Sequence, residues 1–329
     1  MTEPYSRTDR RWEFGPKVVA IGGGTGLSTM LRGLKTYTKN LTAIVTVADD
    51  GGGSGVLRQD LGMPPPGDIR HCMQALANVE PVMEQLLAYR FPAGSGALTG
   101  QAFGNLLLAA LNGIADSFDG AVARMSEVLA ITGRVLPVTN ADVALEATFE
   151  NGTAVLGESK ISAFKKTQDC RIRSVRLIPE HSAALPEALR AIAEADLILL
   201  GPGSLYTSVI PNLLVPGISE AIRAAAGLKM YICNIMTQDG ETEGMTAGDH
   251  VAALMAHSGP GIVELCLCNS SPVRAAPIAV DEGALKALGV ETVCRALASQ
   301  TSDYARHSTA KLAAAIMEIY ADRAKTKVF

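Results

Sequence analysis

Lys17-Val18-Val19-Ala20-Ile21 is a short apolar, β-branched run that stops at a cluster of glycines. Beyond them Met30, Leu31 and Leu34 recur at helical spacing, which predicts a helix over Ser28 to Tyr37, and Leu41 to Val47 is the next apolar run. Strand, turn, helix and strand in close succession open an α/β fold with a parallel sheet. Asp68 to Asn78, Pro81 to Tyr89, Gly104 to Ile114 and Phe118 to Leu129 then read as consecutive helices. The pattern changes at Arg134. Arg134 to Val138, Val143 to Phe149, Thr153 to Gly157 and Arg171 to Ile178 are short runs with turn signals such as Asn151-Gly152, which predicts a small antiparallel β insert over about 134–180. Helix and strand patterns alternate again from Pro186, with strands at Asp196 to Leu200, Lys229 to Ile235 and Ile262 to Cys268. Helices at Pro186 to Glu194, Gly217 to Ala226 and Ala247 to His257 separate them, and Ser308 to Tyr320 closes the chain. A single α/β domain over 16–329 is expected, after a polar lead over 1–15 read as disordered.

Composition narrows the function classes. The 329 residues are 48% hydrophobic and 19% charged, which suits a large core, and 5% aromatic, which argues against base stacking. A net charge of −4 with pI near 5.8 offers no bulk field for nucleic acid or anionic lipid. No apolar run has the length of a membrane span, and Met1 to Gly15 carries Arg7, Arg10 and Arg11 without an apolar core, so it is not a secretory signal. The six scattered cysteines read as reduced, buried thiols of a cytoplasmic protein. Cys266-Leu267-Cys268 puts two thiols on one face of a strand; without a second Cys/His pair at ligand spacing it is not read as a metal site.

The chemistry concentrates in loops that follow apolar runs: Gly22 to Gly26, Ala48 to Gly55, Gly201 to Ser204 and Asn234 to Gly240. In open α/β sheets ligands sit outside the carboxyl ends of the strands, so these loops converge on one expected crevice. The backbone of Gly22, Gly23, Gly24, Thr25 and Gly26 can cradle a phosphate at a helix amino terminus. Leu27 breaks the dinucleotide fingerprint, and no P-loop motif is present. The second loop, Asp49-Asp50-Gly51-Gly52-Gly53-Ser54-Gly55, joins two like charges to four glycines, a poor choice for stability and a good one for bare N–H groups that meet a ligand. Asp49 and Asp50 suit either a divalent cation such as Mg that bridges phosphates or a ribose or sugar hydroxyl. Arg58 and Arg70 are candidate phosphate forks, and Asp68 a candidate helix cap. The hydroxyls of Ser204, Tyr206, Thr207 and Ser208 beside Gly201 and Gly203, with Asn234, Thr237 and Gln238, suit an oxygen-rich ligand. The five histidines form no HExxH or triad grouping, and no Ser/His/Asp or Cys/His nucleophile set emerges.

Taken together, these segments resemble the CofD-like proteins, and within them the YvcK branch, also called gluconeogenesis factor. The matching stretches are Ala20 to Leu27, Thr46 to Gly52, Pro65 to Arg70, Phe103-Gly104-Asn105-Leu106-Leu107, Gly201 to Ser208, Pro211 to Leu214 and Asn234 to Gln238, with Gly240-Glu241-Thr242. The resemblance implies a Rossmann-like three-layer fold and a nucleotide crevice that includes Asn105. The YvcK branch binds UDP-sugars, UDP-N-acetylglucosamine in particular, and supports cell shape and cell-wall precursor supply during gluconeogenic growth. The other branch transfers a 2-phospholactyl group from a guanylylated donor, using a metal. Arg306 resembles a carboxyl-terminal arginine implicated in UDP-sugar binding. Two positions depart from the pattern: Gly53 stands where Ser is expected, and Gln101 where His commonly precedes Phe-Gly-Asn. A sugar-nucleotide-binding regulator is the first expectation and a phospholactate-type transferase the alternative; a nicotinamide dehydrogenase fits least. A homodimer and a protein partner in cell-wall synthesis are expected.

Overall fold

The computed structural model describes residues 10–274, 276–300 and 304–326. Seven parallel strands form the central sheet: β1 (Val18–Gly22), β2 (Leu41–Val45), β3 (Arg134–Pro137), β7 (Leu197–Leu200), β8 (Leu228–Ile232), β9 (Leu265–Asn269) and β10 (Glu291–Arg295). Their order is β10-β9-β8-β7-β1-β2-β3. Strands covered on both faces need near-continuous apolar runs, and β1, β2 and β7 are buried at every position. Helix Gly24–Leu34 buries Leu27, Met30, Leu31 and Leu34, and packs on helices Gly67–Leu76 and Thr309–Thr326. The architecture is the three-layer, Rossmann-like α/β domain expected from the sequence.

The insert differs from its expected form. Arg134 to Pro137 is not part of it: β3 pairs in parallel with β2, Thr42 opposite Arg134. Its exposed Arg134 and terminal Pro137 suit an edge strand, where one ladder is missing. The antiparallel sheet comprises β4 (Ala144–Phe149), β5 (Ala154–Leu156) and β6 (Ile172–Ile178), ordered β5-β4-β6. Helix Glu158–Gln168, absent from the sequence reading, lies between β5 and β6 and stacks Phe164 on Phe149, ring centroids 4.6 Å apart. A second unexpected helix, Gly52–Leu61, begins inside the Asp49 to Gly55 loop.

The lead is also more ordered than expected. Arg10–Glu13 form a helical turn, Trp12 Nε1 donates to the Lys35 carbonyl, and Asn40 Nδ2 donates to the Gly15 carbonyl at 2.7 Å. Residues 1–9 lie outside the described residues. Near the other end, β11 (Ala298–Gln300) and β12 (Ala305–His307) form an antiparallel hairpin in which Ser299 pairs with Arg306.

Candidate functional site

From β1 the chain moves outward through β2 and β3, and from β7 outward in the opposite direction through β8 to β10. The strand order therefore reverses between β1 and β7, and the carboxyl ends of those two strands mark the crevice where such sheets bind ligands. The loops there touch. A Cβ on Gly26 would stand 2.7 Å from the Pro202 carbonyl oxygen, so that position requires glycine for close approach, and one on Gly23 would push the Asp68 carboxylate aside. A cleft of about 530 Å³ opens beside them, walled by Gly23 to Gly26 and Pro202 to Ser204, and facing them by Asn234 to Asp239 and Tyr304 to His307. A cavity of about 550 Å³ lies at the other end of the strands, by the amino ends of β1, β2 and β3 with Lys17, Lys39 and Arg134, and carries none of the glycine loops.

Helix Gly24–Leu34 starts directly at the cleft, with no side-chain cap at Gly23 and no acidic residue in its first turn. Its first N–H groups thus have no intrahelical acceptor and face the cleft at Gly24, Thr25 and Gly26. Gly22 is structural: it ends β1, and its carbonyl accepts from Thr46 N at 3.1 Å and Asn212 Nδ2 at 3.2 Å.

At the end of the neighbouring strand β8, Asn234 braces the β7 loop. Its Nδ2 donates to the Gly203 carbonyl at 2.7 Å, and Gly203 N donates back to its Oδ1. Ser204 Oγ donates to Gln238 Oε1 at 2.8 Å, and Thr237 N to the Ala276 carbonyl at 3.0 Å. Gly201 begins the β7 loop with a left-handed φ of 76°. Tyr206 and Thr207 do not line the cleft: both are buried, and the Tyr206 ring sits edge-on to His257. Their hydroxyl chemistry suggested a ligand role, but a helical stretch over 205–213 turns them into the core. Arg306, on β12, is exposed on the facing wall with its guanidinium 5.4 Å from the Tyr304 ring centroid.

The acidic side adjoins Gly23 through Asp68. Asp68 lies in the first turn of helix Gly67–Leu76, but Pro66 holds the cap position and makes no side-chain capping bond. The expected capping role is thus replaced by an approach to Gly23 and to His71 Nδ1 at 4.0 Å. Asp49 Oδ1 accepts Gly51 N, and Asp50 Oδ1 accepts Ser159 N, both at 2.8 Å. Burial, then the charges of Asp68 and Asp50, push the Asp49 carboxyl up, against the Gly51 N–H and Ser54 hydroxyl that lower it. Glu158, at the start of the insert helix, is pushed up to about 8 by burial and by Asp49, Asp68 and Asp50. Among the described residues, no three of these carboxylates bring an oxygen each within 4.8 Å of one another. The donor set fits a cation shared with a phosphate, the usual manner of Mg, better than an all-protein cage.

Behind the acids, Arg70 is buried and donates from Nε to Asn105 Oδ1 and from Nη1 to Gln74 Oε1. Asn105 in turn reaches Ser54 Oγ at 3.5 Å. Arg58 pairs with Asp142 at 2.6 Å and donates to the Val143 carbonyl, tying helix Gly52–Leu61 to the start of the insert. The two arginines read as phosphate forks are therefore held by protein partners. Gly55 lies in helix Gly52–Leu61, where a Cβ would collide with the Asp50 carbonyl. Gln101, at the departing position, is buried and its Oε1 has no hydrogen-bond partner.

Two residues outside the candidate set matter. Glu241 is buried, accepts the N–H groups of Leu205 and Thr207, and is pushed up to about 7 by burial. Glu158 carries no signal beyond being an acidic residue near a glycine, whereas Glu241 lies in the matching stretch Gly240-Glu241-Thr242 and is not read as a site residue.

The sequence model of the CofD family, described as 2-phospho-L-lactate transferase CofD, matches residues 18–298. The gluconeogenesis factor of Halalkalibacterium halodurans is 49% identical over 312 residues, covering 92% of this chain and 95% of that protein. The gluconeogenesis factor of Bacillus subtilis is 48% identical over 315 residues, covering 92% and 98%. A crystal structure of a UPF0052 family member from Bacillus halodurans superposes with a TM-score of 0.87 at 48% identity, covering 91% of this chain and 99% of that one. A reversal-point cleft, a shared fold and identity along nearly the whole length agree: the chain belongs to the CofD family, alongside the proteins named gluconeogenesis factor.

Proposed function

We propose that this chain is a UDP-sugar-binding regulatory protein, with UDP-N-acetylglucosamine as ligand, that supports cell shape and cell-wall precursor supply during gluconeogenic growth. The observation that carries the reading is the uncapped start of helix Gly24–Leu34 opposite the Gly201 to Ser204 loop, with Arg306 on the facing wall. A diphosphate suits that arrangement, because free N–H groups and a helix dipole favour anions and a guanidinium adds a charged donor. The cleft's volume of about 530 Å³ lies within the range of small-molecule sites. In this reading Thr237 and Gln238 meet sugar hydroxyls, and Asp49, Asp50 and Asp68 orient the ligand rather than react with it. A protein partner in cell-wall synthesis and a homodimer belong to the same proposal. Isothermal titration with UDP-N-acetylglucosamine tests it: saturable binding at one site per chain is the expected result, and no heat at millimolar ligand ends it.

One observation favours a second reading, a 2-phospho-L-lactate transferase-like enzyme. Asp49, Asp50, Asp68 and Glu158 gather beside the first glycine loop, which Asp68 reaches at Gly23, and burial with mutual repulsion raises Asp49 and Glu158 as an uncompensated cluster would. Asp49 and Asp50 would hold the divalent cation through their second oxygens, and bound there it would neutralise phosphate charge. Turnover of a lactyl-guanylate donor with a deazaflavin acceptor, lost in Asp50→Asn, would favour the enzyme.

A further inference from the structure

Outside the cleft, three thiols converge in the core. Cys233 directly follows β8, Cys266 and Cys268 lie on β9, and their sulfurs all lie within 4.8 Å of one another. Cys266 and Cys268 Sγ are 3.5 Å apart, all three residues are buried, and none is in a disulfide. Register explains the convergence. Tyr231 pairs with Cys266, and Cys233 N donates to the Leu267 carbonyl at 3.0 Å, which carries the parallel ladder past the end of β8 and brings Cys233 level with Cys268. Alternate residues of a strand share a face, and paired residues of neighbouring strands share it too. The row continues outward, because Cys294 on β10 pairs with Cys268 and is only half-buried.

A single buried cysteine behaves as a small hydrophobe and needs no ligand, as Cys72 shows in the helix Gly67–Leu76 core. Three sulfurs that meet at one point are a different object. A tetrahedral ion about 2.3 Å from each sulfur sets its ligand sulfurs roughly 3.8 Å apart. The Cys266–Cys268 spacing of 3.5 Å is close to that separation, and all three sulfurs lie within 4.8 Å of one another. Thiolates select soft or borderline ions such as zinc over magnesium, so this cluster is chemically separate from the carboxylates at the crevice.

We propose that Cys233, Cys266 and Cys268 form a three-thiolate site for a thiophilic closed-shell divalent cation of the zinc type, with Cys294 flanking its solvent side. Binding displaces the thiol protons to solvent and leaves the metal–sulfur bonds in their place, so affinity rises with pH. The site would staple β8 to β9 immediately before Asn234, the residue that braces the cleft loop.

Cadmium is the probe. The full-length chain, reduced and stripped with chelator, is titrated with cadmium chloride while the thiolate-to-cadmium charge-transfer band is followed. The expected result is one equivalent per chain, reversed by excess zinc and strengthened as pH rises. Cys268→Ser and Cys233→Ser should each weaken cadmium binding roughly tenfold or more, whereas Cys170→Ser, remote on the insert, should leave it unchanged. No band in the wild-type protein at stoichiometric cadmium overturns the proposal, as does a band that survives Cys268→Ser or disappears in Cys170→Ser. The wild-type titration needs no substitution, so a variant that misfolds does not shield the proposal.

Discussion

Glu241 accepts the backbone N–H of Thr207 at 2.9 Å, so a fully buried carboxylate of one strand-end loop anchors the helical segment that follows another. Its second oxygen accepts Leu205 N at 3.0 Å. The pair holds the β7 loop against the β8 loop, and both loops wall the cleft.

That anchor carries a pH signature. Burial raises the Glu241 carboxyl from 4.5 to about 7, so the native chain holds this proton more tightly than the unfolded one. Its contribution is therefore complete below pH 4.5 and is lost as pH rises through 7. Glu241→Gln should flatten the fall in melting temperature between pH 5 and pH 8 (~5–8, the window set by these values). It should also cost about 1–3 kcal/mol, because the amide leaves one of the two N–H groups facing another donor. An unchanged pH profile in the variant would show that Glu241 does not titrate in this range.

The two glycine loops should separate fold from binding. At Gly26 a Cβ meets the Pro202 carbonyl at 2.7 Å, a backbone atom that cannot turn aside. Gly26→Ala should therefore destabilise the apo protein by about 1–3 kcal/mol, the cost of overpacking. At Gly203 the nearest atom is the Gly23 carbonyl oxygen at 3.2 Å, and φ is not left-handed, so Gly203→Ala should fold and act mainly on ligand affinity. Melting curves with and without UDP-N-acetylglucosamine check both. Equal losses of stability would make both loops plain turns.

The crevice is largely legible in the sequence because its parts are local. Apolar runs ending in glycine mark strand ends, and the order of strands and helices leaves few topologies. What is not legible depends on pairing between distant positions. Arg134 to Pro137 looks like the runs that follow it, and only its partnership with β2, some ninety residues earlier, places it in the central sheet (roughly ninety by the Thr42–Arg134 pairing). Helix Glu158–Gln168 buries Ile161 and Lys165 and little else, so its apolar stripe is too thin to announce a helix. Cys233 gives no hint of Cys266 and Cys268 until strand register sets them level. Arg58 and Arg70 have the right residue type for phosphate, yet Asp142 and Asn105, which hold them, come from segments that no local pattern links to them.

Arg306 projects from a hairpin into the cleft, exposed, with Tyr304 beneath its guanidinium. Removing it takes away a charged donor without opening the core. Arg306→Ala should weaken UDP-N-acetylglucosamine roughly 10- to 100-fold, the worth of one or two charge-assisted hydrogen bonds, and leave the apo melting temperature unchanged. Isothermal titration and a thermal melt read the two effects separately. Wild-type affinity in the variant would remove Arg306 from the site.

Glu158 poses the remaining question about the acidic side. Its carboxyl is raised from 4.5 to about 8 by burial and by Asp49, Asp68 and Asp50. Below pH 4.5 the protonated group adds its full share of stability, and that share drains away as pH climbs through 8. Glu158→Gln should therefore melt higher than wild type above pH 8, by about 2 °C for each kcal/mol regained, and the gap should close at pH 6 (~2 units below the raised value, where the acid is protonated). Millimolar magnesium separates the two functional readings. If the acids only orient a UDP-sugar, EDTA leaves its affinity within about twofold, well under the tenfold that 1.4 kcal/mol would give. If they hold a catalytic cation, magnesium raises the wild-type melting temperature, Asp49→Asn abolishes that rise, and Glu158→Gln, already relieved of one charge, gains less. The expected outcome is the first, because Asp49 and Asp50 each already bind a backbone N–H.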